Sequence, residues 1–175
     1  MQSCAAVTGL ILLVITDLGT IISYATPFWV IHSTNRDQGL WALCEGTNCQ
    51  WIYDASFLTG KEFHKEGWFI AVQGLMSVGL ALCLLSLLIA TISLCCQKQS
   101  CSPSGTIAGL LLTTFLAMCV AVILFGIKAS QELKVTVGFD SKTDDCFGWS
   151  FWLAAASAAL SLATSGVYGC ASRID

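Results

Sequence analysis

The chain has 175 residues, of which 55% are hydrophobic and 11% charged, with a formal net charge of −3; an ordinary soluble domain is about 25% charged. That composition excludes a soluble domain, and the lack of a basic stripe or a charge run excludes a nucleic-acid partner and a solvated tail. Four spans of about 20 residues each, plus their loops, use up the whole length, so the chain is expected to be one membrane domain, residues 1–175.

The first predicted span covers 5–25. Ser23-Tyr24-Ala25 offers the small residues a signal peptidase prefers, but the stretch is long, contains Asp17 and has no Lys or Arg before it. It is expected to be an uncleaved anchor. A carboxylate at mid-span is costly and faces the bundle interior or a polar cavity. The other spans offer Asp17 only Thr, Ser, Gln73 and Cys, too little for a proton or ion site. Asp17 is therefore expected to be protonated or hydrogen-bonded and to help fix helix packing.

The loop 26–67 is the largest polar region. Cys44 and Cys49 are its only cysteines and flank Glu45-Gly46-Thr47-Asn48, which reads as a hairpin turn between short strands at 39–43 and 50–53. Strands so placed bring the two cysteines opposite each other, at disulfide distance. A bridge requires an oxidising side, lumenal or extracellular. The alternatives are two free thiols in a cytosolic loop, or zinc, for which His32 and His64 have no ligand spacing.

The second span, 68–94, ends at a short link, 95–104, holding Cys95, Cys96 and Cys101. These are candidate palmitoylation sites on the cytosolic face, or plain reduced thiols. The third span, 105–127, opens with Gly105 and Gly109 at GxxxG spacing. A second loop, 128–147, leads to the fourth span, 148–170, which is crowded with Ala, Ser and Gly. Small residues let helices approach closely in lipid, and packing within the bundle is the expected use, ahead of a subunit contact. Cys4, Cys83, Cys119 and Cys170 read as apolar filler, and Cys146 as free or paired with another copy. The tail, 171–175, is too short for a cytoplasmic scaffold.

Sidedness rests on two opposed signals. Arg36, Lys61, Lys65, Lys128, Lys134 and Lys142 lie in the two larger loops, against Lys98 and Arg173 on the other face, and a positive-inside count would put those loops in the cytosol. Long loops obey that rule less well, and the cysteine pair points the other way. The expectation is that loops 26–67 and 128–147 are extracellular and both termini cytosolic.

Trp29, then Gly39-Leu40-Trp41, then Cys44 and Cys49, just after the first of four spans, resembles the W-GLW-C-C signature of the claudin, peripheral myelin protein, epithelial membrane protein and lens fibre membrane protein superfamily. The four-residue Cys spacing is similar to the epithelial membrane protein and lens branch, and the tail lacks the hydrophobic end that PDZ scaffolds capture in claudins. The resemblance implies an all-α membrane protein: a left-handed four-helix transmembrane bundle with a small extracellular antiparallel β-sheet. It places Trp29 and the Gly39-Leu40-Trp41 segment at the membrane–water boundary, with Cys44–Cys49 stapling the sheet.

No nucleophile–base pair, phosphate-cradling loop or metal cluster is recognisable, so neither enzyme activity nor a cofactor is expected. The leading functional expectation is a structural or adhesive protein of the plasma membrane or cell junction. Its sheet would self-associate in cis or trans, with Trp51, Ile52, Phe57 and Leu58 as exposed contact candidates. The alternative is an accessory subunit for folding, trafficking or gating of another membrane protein such as a channel. A paracellular pore lined by Asp37, Glu45 or Asp54 is a third reading.

Overall fold

The structure is a computed structural model that describes residues 4–32, 36–53, 66–95, 103–132, 134–135 and 145–173. Its elements in chain order are α1 (Cys4–Ala25), β1 (Val30–His32), β2 (Arg36–Gln38), β3 (Ala42–Glu45), β4 (Asn48–Trp51), α2 (Gly67–Cys95), α3 (Ser104–Glu132), β5 (Cys146–Phe147) and α4 (Trp149–Ala171). All four helices are long and apolar enough to cross a membrane. In lipid each backbone polar group must be satisfied within its own segment, which leaves the helix as the spanning element. Large apolar side chains such as Ile11, Leu18, Leu88, Leu116 and Ile123 lie more than half exposed on the outer faces, where hydrocarbon is their natural solvent. Helix α3 runs past residue 127 to Glu132. Lys128 and Glu132 pair at 3.3 Å across that last turn, the i,i+4 arrangement that supports a helix.

Each helix packs on its chain neighbours and α1 closes the ring on α4, with α1–α2 the sparsest seam. The buried face of α3 is Ile107, Leu111, Thr114, Met118, Ala121, Phe125 and Ala129, the alternating three- and four-residue spacing of one helix stripe. Leu13, Ile107, Leu111 and Tyr168 form the apolar core at one end. Trp29, Phe69, Met118, Phe125 and Phe151 form the core at the sheet end. Between them lie buried hydroxyls that bond back to their own helices. Thr16 donates to Leu12 O at 2.8 Å, Thr20 to Thr16 O at 2.8 Å, Ser86 to Leu82 O at 2.8 Å and Thr114 to Leu110 O at 3.1 Å, so they sit in the interior without unsatisfied donors.

The small residues divide between inside and outside. On α4, Ala154, Ser157, Ala158, Ser161 and Ser165 face the bundle, whereas Ala156, Ala159, Ala163 and Gly166 face outward. Gly105 and Gly109 of α3 are also exposed, and a Cβ on Gly109 would meet nothing within 4 Å. Gly109 therefore does not serve packing within the bundle, while a Cβ on Gly105 would lie 3.9 Å from Ser172 Cβ at the end of α4.

The five strands make one antiparallel sheet in the order β4-β3-β2-β1-β5. It is rooted at two helix ends: β1 follows α1 and β5 precedes α4. Gly148 N donates to Trp29 O at 2.9 Å and Ser150 N to Phe28 O at 3.1 Å, tying the start of α4 to the chain leaving α1. The hairpin is placed differently from the sequence expectation. Its strands are Ala42–Glu45 and Asn48–Trp51, joined by the two-residue loop Gly46-Thr47 with Gly46 at φ +60°, a backbone region that glycine enters at no steric cost. Residues 39–41 lie outside the ladder because Gly39 N bonds Ala42 O at 2.9 Å and turns the chain before β3 begins.

Candidate functional site

The residues singled out by the sequence converge where the sheet meets the bundle. Trp29 is fully buried. Its Nε1 donates to Ser23 O at 2.7 Å, closing the C-terminal end of α1. Its ring meets Phe125 edge-on at 4.9 Å and Phe151 at 6.0 Å. Trp29 thus plugs the mouth of the bundle, enclosed by protein. Leu40 is fully buried too. Its carbonyl accepts from Gln73 Nε2 of α2 at 2.6 Å, and Gln73 Oε1 accepts from Tyr53 Oη at 2.8 Å. Gln73 was visible in the sequence as a polar residue of the second span; its partners on the sheet side were not. Trp41 is half-buried, its ring 5.4 Å from Tyr24 and 6.4 Å from Tyr53. Among the described residues its buried Nε1 has no acceptor.

Cys44 and Cys49 face each other across β3 and β4 and form a disulfide with Cα atoms 4.0 Å apart. The bridge sits beside the outer edge of the sheet, where all four β4 residues are exposed. Trp51 stands 67% exposed there. Ile52, expected beside it as a contact residue, is only 3% exposed. Ile52 lies in the turn just past β4, where its N–H bonds Trp41 O at 2.9 Å and its side chain joins the core around Trp29 and Leu40. Phe57, Leu58 and Asp54 lie outside the described residues, as do Cys96 and Cys101; of Cys95 only the backbone is described.

Charged groups cluster on the sheet. Arg36 and Glu45 are register partners on β2 and β3, paired at 3.1 Å. His32 Nδ1 lies 2.9 Å from Asp145 Oδ2, and His32 Nε2 lies 3.5 Å from Gln38 Oε1, fastening the residue before β5 to β1. Burial pushes the Asp37 carboxyl above its usual range, against the pull of nearby His32. Of the proposed pore acids, Glu45 is thus engaged by Arg36 and Asp37 is half-buried.

Asp17 does face the interior, at 2% exposure. The Cys83 thiol lies beside it. Neither carboxyl oxygen meets a partner in standard bonding geometry among the described residues, which leaves the Cys83 thiol of α2 as its polar neighbour. Cys146 is 3% exposed and would have to turn outward to reach another copy.

A five-stranded sheet on a four-helix bundle, with one Trp in the mouth, a Gly-Leu-Trp turn latched to α2 and a disulfide on the outer hairpin, is a specific arrangement. The family model described as the PMP-22/EMP/MP20/Claudin family matches residues 3–168. The motif lies within the matched stretch, which takes in the sheet and all four helices but the last turn of α4, and the chain is an integral membrane protein belonging to the PMP-22/EMP/MP20/Claudin family.

Proposed function

We propose that this protein is structural and adhesive: its sheet lies outside the cell and makes contacts with copies in the same or an apposed plasma membrane, at cell–cell junctions. The observation that carries this reading is the outer edge. Among the described residues β4 has no further strand beyond it in the sheet order, and every β4 side chain is exposed, with Trp51 67% uncovered. An open strand edge beside a large exposed aromatic is a surface suited to association. The disulfide supports an oxidising, extracellular position for the sheet. On this reading both termini are cytosolic, and Cys95, Cys96 and Cys101 are available for acylation on that side.

The test is enrichment at contacts between cells that express the tagged full chain. Accumulation where two expressing cells meet, but not where one meets a non-expressing cell, is expected, and Trp51→Ser is expected to abolish it at unchanged surface delivery. Uniform surface distribution of the wild type would overturn the adhesive reading.

One observation favours a second reading, an accessory subunit of another membrane protein. Ala156, Ala159, Ala163 and Gly166 form an outward-facing strip of small residues on α4, on which a partner helix can pack closely. Co-purification of a large channel or receptor, lost on Ala163→Leu, would support it.

A further inference from the structure

Near the sheet end, α3 and α4 part around an apolar groove of about 590 Å³. Ile123 and Ile127 wall it from α3, and Phe151 and Trp152 from α4, while Gly126 and Ala155 add little bulk. Ile123, Ile127 and Trp152 are each between 42% and 55% exposed. The groove therefore opens outward, into the hydrocarbon around the bundle, and a lipid is its natural occupant.

Its polarity is confined to one end and is uncharged. Ser130 and Gln131, one turn beyond Ile127 at the sheet side, are its polar lining residues. Both are exposed, and neither has a hydrogen-bond partner among the described residues. The nearby cation, Lys128, does not line the groove and is paired with Glu132 at 3.3 Å. Among the described residues no Lys or Arg lines the groove, so its lining offers a phosphate head no cationic partner. A single hydroxyl would find a donor and acceptor set on a hydroxyl and an amide. The body of the groove, from Val122 to Ser130, is about 12 Å long along the helix. Phe147 and Phe151, stacked on each other with centroids 4.5 Å apart, line it on the α4 side, and a rigid fused-ring body gives up less rotamer freedom on entering than a flexible acyl chain would. The volume falls within the range of about 300–1,000 Å³ typical of small-molecule sites.

We propose that the groove between α3 and α4 binds a membrane sterol, its ring system along Ile123 and Phe151 and its hydroxyl at Ser130 and Gln131. The site is separate from the β4 edge and stands whether or not the sheet is adhesive.

The test uses the full chain in phosphatidylcholine nanodiscs containing a photoactivatable sterol, with adducts mapped by mass spectrometry. Adducts should concentrate on residues 122–131 and 147–155 and be displaced by excess cholesterol. Two variants address the two ends of the site. Gly126→Leu fills the groove; a Cβ at Gly126 meets only ring atoms of Phe151, at 3.5 and 3.9 Å. Ser130→Ala with Gln131→Ala strips the rim and touches only exposed side chains, so it decides the matter if the first variant fails to fold. Intact Cys44–Cys49 and monodisperse elution serve as folding controls. A several-fold loss of adducts in either folded variant supports the site. Even labelling of all four helices, equal displacement by added phosphatidylcholine, or no loss in either variant overturns it.

Discussion

At the scale of single residues, Gly39 shows why the Gly-Leu-Trp turn tolerates no side chain at its first position. A Cβ there would lie 2.6 Å from Pro27 Cα and 2.7 Å from Thr26 O. Both are backbone atoms that cannot rotate away, so relief requires moving the link between α1 and β1. Gly39→Ala is expected to destabilise the protein by about 1–3 kcal/mol, read as a lower melting temperature in detergent and reduced surface delivery. Asp37 gives a prediction of opposite sign. Its carboxyl is raised above the ordinary 3.8 by burial, so the folded sheet holds that proton more tightly than the unfolded chain does. The resulting stability is fully present below 3.8 and is lost as pH rises through the elevated value. At neutral pH the ionised group is a net cost. Asp37→Asn should therefore raise the melting temperature at pH 7, and the gain should shrink as pH falls towards 4. A pH-independent gain would show that ionisation of Asp37 is not the cause.

At the scale of elements, the helices are legible in the sequence because a run of some 20 apolar residues is a one-dimensional signal that lipid makes unambiguous. The sheet is less legible, because its features depend on contacts distant in the chain. Gly39 turns the backbone against Pro27, which moves β3 downstream. β5 is two residues long and exists only through pairing with β1, and His32 finds Asp145 across most of the sequence. Ile52 looked like a neighbour of Trp51 in one apolar run, and the turn that follows β4 carries it into the core instead. Trp29 illustrates a different limit: its preference for interfaces is general, whereas its enclosure by Phe125 and Phe151 depends on how α3 and α4 meet. The one sheet feature fixed by local sequence is the hairpin around Gly46, and its bridge closes a short loop. A loop of that size contributes about 2 kcal/mol in the chain-entropy picture. Changing both Cys44 and Cys49 to Ser is accordingly expected to loosen β3 and β4 and leave the helices in place. Limited proteolysis should show new cleavage near Gly46-Thr47 without loss of the helical circular-dichroism signal; loss of that signal would mean the staple holds more than its hairpin.

At the scale of the whole molecule, one measurement orients everything. β1 follows directly from α1 and β5 leads directly into α4, so the sheet fixes which ends of those helices share its side, and the start of α1 and the end of α4 lie at the opposite end. The Lys and Arg count of the loops would put the sheet in the cytosol. The disulfide demands an oxidising compartment, since cytosolic thiols are kept reduced. The proposed orientation gives the second argument more weight, because the bridge is a feature of the folded hairpin itself whereas the charge count is a statistical bias. In a variant with every cysteine except Cys44 and Cys49 changed to Ser, an impermeant maleimide should label intact cells only after treatment with an impermeant reductant. That result places the sheet and β4 outside and leaves residues 95–104 on the cytosolic side. Labelling without reductant, seen only after selective permeabilisation of the plasma membrane, would mean a reduced cytosolic sheet. The adhesive function would then fall, while the sterol groove, which does not involve the β4 edge, would move to the cytosolic leaflet.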